Sequence, residues 1–91
     1  MGKYFVYVIS CKIPYHYYIG LTSQFNRRIS AHKKGRGAKF TKVFGFKRIL
    51  FKKIYSSISE AKETESRWTN YFIGKYGKKN VAGAGHTVVK Y

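Results

Sequence analysis

Ninety-one residues limit the chain to one small domain with a modest core, and 44% hydrophobic with 19% aromatic content excludes a disordered polymer. Nineteen Lys+Arg against three acidic residues give a net charge of +16 and a pI near 10.2, which opposes compaction and points to a polyanionic partner. Nucleic acid suits that balance better than an anionic membrane or an acidic protein.

The single cysteine, Cys11, can form no internal disulfide and no cysteine-based zinc site, which fits an intracellular, reducing setting. The N-terminus Met-Gly-Lys-Tyr-Phe carries no secretory h-region, and no apolar run approaches the length of a membrane span, so a soluble protein that is not secreted is expected. Without repeats or low-complexity tracts, residues 1–91 read as one domain, with a core from about 3 to 81 and a Gly-containing tail from 82 to 91.

Tyr4 to Ser10 is a β-branched and aromatic run of strand length, and Tyr17 to Leu21 is a second. The intervening Cys11-Lys12-Ile13-Pro14-Tyr15-His16 makes them an antiparallel hairpin. In the second strand Tyr17, Ile19 and Leu21 share one face, and Tyr18 and Gly20 the other. The first strand is apolar on both faces, so alternation leaves the direction of Tyr7 open.

Thr22 or Ser23 can cap a helix through about Lys33, with Phe25, Ile29 and His32 forming its buried stripe. Arg28 flanks that stripe, either snorkelling at the surface or reaching into a cleft, while Arg27 is rotated away from it. His32 reads as a core or cleft histidine. From Arg27 to Lys53 there are eleven Lys/Arg and no acid, with four phenylalanines interleaved, a pattern suited to phosphate contact. Arg27, Lys33, Lys34, Arg36, Lys39 and Lys42 are its candidate nucleic-acid contacts. Gly35-Arg36-Gly37 marks a loop, Ala38 to Val43 a short helix, and Phe46 to Tyr55 a third strand.

Ser57-Ile58-Ser59-Glu60 opens the last helix as a capping box, and the helix stops near Gly74 or Gly77. All three acids lie on it. Glu60 serves the cap and Glu63 can pair with Arg67 at i+4, but Glu65 shares its face with Ala61, Trp68 and Phe72. A carboxylate among aromatics needs a partner, either an interior Lys or Arg or a divalent metal. Two strand tyrosines, a helical arginine and a helical carboxylate beside a basic surface suit phosphodiester hydrolysis, because Mg²⁺ is often held by one or two carboxylates and arginine matches phosphate oxygens.

In this order the motifs resemble the GIY-YIG nuclease family along nearly the whole chain. The second triad stands as Tyr18-Ile19-Gly20, and the first reads Phe5-Val6-Tyr7, keeping the tyrosine but not the glycine. Phe25 to His32 is similar to the family helix whose second basic residue is the catalytic arginine, which places that role on Arg28. Glu65-Ser66-Arg67-Trp68 looks like the metal-binding glutamate followed by an aromatic, and Asn80-Val81-Ala82 matches the closing asparagine. Where many relatives carry a lysine after the second triad, this chain has Leu21-Thr22.

The resemblance implies an α+β fold with a small central antiparallel sheet of about three strands flanked by helices. It also implies a DNA endonuclease using Mg²⁺ or Mn²⁺ that leaves 5′-phosphate and 3′-hydroxyl ends on duplex or branched DNA. Tyr7 would be general base or water-orienting group, with Tyr18 and His32 in support, Arg28 the phosphate clamp, Glu65 the metal ligand and Asn80 a structural or supporting group. Targeting would then come from the basic surface, a protein partner or a further domain. The rival readings are a non-catalytic nucleic-acid-binding module on the same fold and a basic protein acting at anionic membranes.

Overall fold

A computed structural model describes residues 2–85 of the chain. The fold is α+β, with β1 (Tyr4–Cys11), β2 (Tyr17–Thr22), α1 (Phe25–Lys33), α2 (Lys39–Phe44), β3 (Phe46–Tyr55), α3 (Ile58–Tyr76), a 3₁₀ turn (Lys78–Asn80) and β4 (Val81–Ala82). No helix among the described residues is long and apolar enough to cross a membrane. The sheet runs β3-β1-β2-β4, so the expected antiparallel trio is present. A fourth strand joins it in parallel, pairing Tyr17 with Val81 and Tyr18 with Ala82. Two residues carry no readable period, which is why sequence alone assigned Ala82 to a tail.

β1 is buried on both faces because each face has its own helical cover. Val6 and Val8 join Ile19, Val81, Ala61 and Phe72 under α3, while Tyr7, Ile9 and Cys11 join Ile29, Phe40 and Ala82 under α1 and α2. A register shift in the β1–β3 ladder at Val8/Ile9 leaves Leu50 unpaired and lets the neighbouring β3 residues Leu50 and Phe51 both turn towards α3. Lys52, opposite Tyr7 in register, then shares the other face.

Ser57 caps α3 by accepting a hydrogen bond from the Glu60 amide at 3.3 Å, and Gly77 ends it with a φ of 97°. At α1 neither expected cap residue occupies the N-cap position. Gln24 does, and Thr22 Oγ1 instead accepts from the Gln24 amide at 3.0 Å. Arg67 donates to Thr64 Oγ1 at 3.3 Å, which gives its guanidinium a partner other than the expected Glu63.

Candidate active site

Tyr7 sits at the centre of the sheet, fully buried, with its partner strand made to fit it. Gly20 lies opposite Tyr7 in the β1–β2 register, and a Cβ at Gly20 would come within 2.2 Å of the Tyr7 ring and 2.3 Å of its hydroxyl. Glycine is thus required in the second triad because the tyrosine of the first lies across it. Phe5 needs no such allowance, since its ring packs on Phe25 at 5.3 Å. Tyr7 meets Phe25 edge-on at 5.8 Å, and Tyr18 and His32 complete the wall at 6.4 and 5.8 Å.

The hydrogen bonds assign the protons. Thr41 Oγ1 donates its one proton to the Ala38 carbonyl at 3.1 Å, so towards His32 Nδ1, at 2.8 Å, it acts as acceptor. His32 therefore carries its proton on Nδ1, and bare Nε2 accepts from the Tyr7 hydroxyl at 2.9 Å. Gly37 allows this packing, because a Cβ there would fall 2.5 Å from Nδ1. Tyr7, His32 and Thr41 form a buried chain that ends at the phenol oxygen, to which Arg28 donates. Thr41 was missed in the sequence; its only signal is a threonine one turn into a short helix.

Burial, then the Tyr18 phenol, push the Tyr7 hydroxyl above its ordinary pKa, the nearby Glu65 carboxylate adds to this, and Arg28, which hydrogen-bonds to it, opposes the shift. Burial and, next, the Arg28 guanidinium lower His32 to about 4. Neutral His32 has a stability consequence. The unfolded chain takes up a proton near the ordinary pKa of about 6.5, whereas the folded chain resists until about 4, so stability falls as pH drops through that window. The loss, at most about 3 kcal/mol, is expected as a midpoint shift in urea titrations between those pH values and is expected to disappear in His32→Gln.

Arg28 projects from α1 into an open cleft of about 300 Å³ lined also by Thr22, Ser23, Gln24, Arg27, Ala31, Arg36 and Gly37. Its Nε is buried and has no hydrogen-bond partner among the described residues. Arg27, expected to turn away, lines the same cleft, because the chain turning back at Gly35–Gly37 brings Arg36 over and closes a basin around both. Three arginines thus line one space, with no carboxylate among the described residues that line it. Lys33 instead places its ammonium 5.6 Å from the Phe46 ring, Lys42 lies beside Gly35, and Lys34 and Lys39 are exposed at the ends of α1 and α2.

Glu65 is half-buried on α3. Its carboxyl is raised above the usual carboxylate range by burial, against the pull of the Ala84 backbone amide and the Lys62 ammonium. Ala84 is delivered by the turn after β4, where Gly83, Ala84 and Gly85 have φ of 152°, 47° and 83°. Gly83 is wedged between β2 and α3: a Cβ would meet Ile19 O and Thr69 Oγ1 at 2.7 Å. The beginning of the expected tail is therefore part of the site's frame, while residues 86–91 lie outside the described residues. Among the described residues no group of three or more His, Cys, Asp or Glu side chains gathers as a metal cage.

Asn80 is occupied elsewhere. Its side-chain amide donates to the Tyr76 carbonyl at 2.8 Å and so secures the turn from α3 into β4, which is a structural service. Lys52, also missed in the sequence, stands cross-strand from Tyr7 with its ammonium 4.1 Å from the Phe25 ring centre. It supplies a cation on the tyrosine's face where Leu21-Thr22 supplies none.

The model of the GIY-YIG catalytic domain matches residues 3–81. The chain belongs to the GIY-YIG family. Among curated proteins, it is 37% identical over 65 residues to a UPF0213 protein of Staphylococcus haemolyticus, covering 71% of this chain and 78% of the relative. It is 33% identical over 78 residues to the UPF0213 protein YazA of Bacillus subtilis, covering 86% and 73%. A UPF0213 protein of Staphylococcus aureus is 32% identical over 71 residues, covering 78% and 85%. No solved structure gives a significant match. The GIY-YIG domain is of nuclease type, and in this member Tyr7, Tyr18, Arg28, His32 and Glu65 are joined by contacts or by electrostatic interaction.

Proposed function

We propose that this GIY-YIG protein is a metal-dependent DNA endonuclease. The observation that carries the reading is the buried Arg28 Nε, unpartnered among the described residues, beside a cleft lined by three arginines. An unmet buried donor costs about 1–3 kcal/mol, and a phosphodiester oxygen would meet it with a charge-assisted bond. Arg27 and Arg36 would hold flanking phosphates.

Water attacking the bound phosphorus must lose a proton. The Tyr7 oxygen can take it while passing its own proton to His32 Nε2, so that no phenolate forms in a site that disfavours one. His32 is a poor acceptor because burial and, next, the Arg28 guanidinium depress its pKa. A phosphate seated on Arg28 offsets the second of these, so substrate binding makes His32 a better acceptor.

The donor chemistry fits a hard divalent cation. One half-buried carboxylate, Glu65, with substrate phosphate and waters is an ordinary Mg²⁺ or Mn²⁺ set, whereas no cluster of the nitrogen and sulfur ligands zinc prefers is assembled among the described residues. When bound at Glu65 the ion would supply charge stabilisation to the phosphoryl oxygens.

Supercoiled plasmid is expected to be nicked by the protein with Mg²⁺ and left intact with EDTA. Without metal, DNA affinity is expected to fall steeply with salt, and replacing Arg27 and Arg36 by Gln should flatten the log–log slope by roughly 1 per lost contact. Binding without cutting under all divalent ions would leave a nucleic-acid-binding module, and a slope near zero in the parent would remove the phosphate reading altogether.

A further inference from the structure

The loop between β1 and β2 carries a feature that the cleft does not use. Tyr15 is 67% exposed yet sits in the left-handed region at φ 66°, which disfavours a bulky side chain. The loop is held in that shape. The Cys11 amide donates to the His16 carbonyl at 3.0 Å, His16 Nδ1 donates to the Pro14 carbonyl at 2.9 Å, and the His16 ring stacks on Phe44 at 4.2 Å. The result is a Tyr15 ring turned onto Tyr76 of α3, stacked at 6.2 Å, with most of its surface open.

Tyr76 is backed by Tyr17 at 4.5 Å and Phe72 at 5.8 Å, so the platform is rigid. The Lys75 ammonium lies 5.7 Å from the Tyr76 ring centre and 5.9 Å from that of Tyr71, which is itself 62% exposed. The patch thus alternates open aromatic faces with a cation, Lys79 is exposed a few residues on, and none of the three acids lies beyond Glu65. A duplex hides its base faces. An unpaired strand offers base faces and phosphates in alternation, which is the complement of this surface.

We infer that Tyr15, Tyr71 and Tyr76 with Lys75 form a stacking platform for an unpaired segment of nucleic acid, separate from the arginine cleft. This rests on the nucleic-acid reading of the basic surface but not on catalysis. An end-labelled oligothymidylate and a labelled duplex of equal length, titrated in EDTA and followed by fluorescence anisotropy, test it without any cleavage. Tyr15→Asn and Tyr71→Ser are each expected to weaken oligothymidylate binding by about 5- to 100-fold and to leave duplex affinity unchanged. Tyr15→Phe is expected to retain binding, since the ring and not the hydroxyl stacks.

Both truncated side chains are largely exposed, and Asn accepts a positive φ better than Tyr, so Tyr15→Asn should hold or raise the melting temperature while losing affinity. Equal losses on single strand and duplex, no loss on the single strand, or displacement by polyglutamate as readily as by unlabelled oligothymidylate would each overturn the proposal. Failure of the plasmid assay with oligothymidylate binding intact would instead refute the nuclease reading and leave the platform standing.

Discussion

Tyr7→Phe is expected to reduce Mg²⁺-dependent cleavage by on the order of 10²–10⁴-fold, the range for a positioned proton-transfer group, while the protein remains folded and binds DNA. The substitution removes one oxygen and with it the hydrogen bond to His32 Nε2, while the ring packing on Phe25, Tyr18 and His32 is kept, so the fold survives. What disappears is the atom between water and His32 Nε2. His32→Gln should approach the same loss, because a Gln amide can hold the Tyr7 hydroxyl but cannot accept its proton. The pair changed together should lose little more than either alone, since both serve one transfer. Single-turnover cleavage of a labelled duplex measures all three. Near-normal cleavage by Tyr7→Phe would return this tyrosine to a packing role, which the Gly20 fit would still explain.

Glu65→Gln should abolish at least about 10²-fold of cleavage without weakening DNA binding or the fold. The signs separate the two reasons for an acid on this helix face. Were Glu65 there to neutralise an interior cation, its loss would strand that cation and cost about 3–5 kcal/mol. The carboxyl is instead raised by burial, so its folded pKa exceeds its unfolded one. Stability from such a group is present at low pH and lost as pH rises through the folded pKa, so the ionised form is a burden at neutral pH. Gln removes that burden, and the melting temperature at pH 7 is expected to hold or rise. Metal-free DNA affinity should also hold or rise, because a negative charge near phosphates has gone. A folded, DNA-binding and fully active Glu65→Gln protein would refute the mechanism; an unstable one would restore the ion-pair reading.

The chain's local chemistry determined a good deal by itself. Strand runs, the Ser57 cap, the Gly77 stop and the α1 stripe of Phe25, Ile29 and His32 depend on neighbours within a few residues, and each appears where the residues place it. Glu65 stood out because only three acids exist and the other two had local duties available. Other decisions belonged to the tertiary structure. A strand apolar on both faces says nothing about which way Tyr7 points until α1 and α2 cover one side and α3 the other. Arg27 joined Arg28 because the chain turns back at Gly35–Gly37, which helical geometry within α1 does not contain. Thr41 and Lys52 were invisible for the same reason: the first acts on a histidine from the next helix, the second across a strand ladder, and neither pairing leaves a period in the sequence. Local signals arise from the repeat of one element, whereas a proton path or an anion cleft is set by how several elements meet, and that depends on packing over the whole chain.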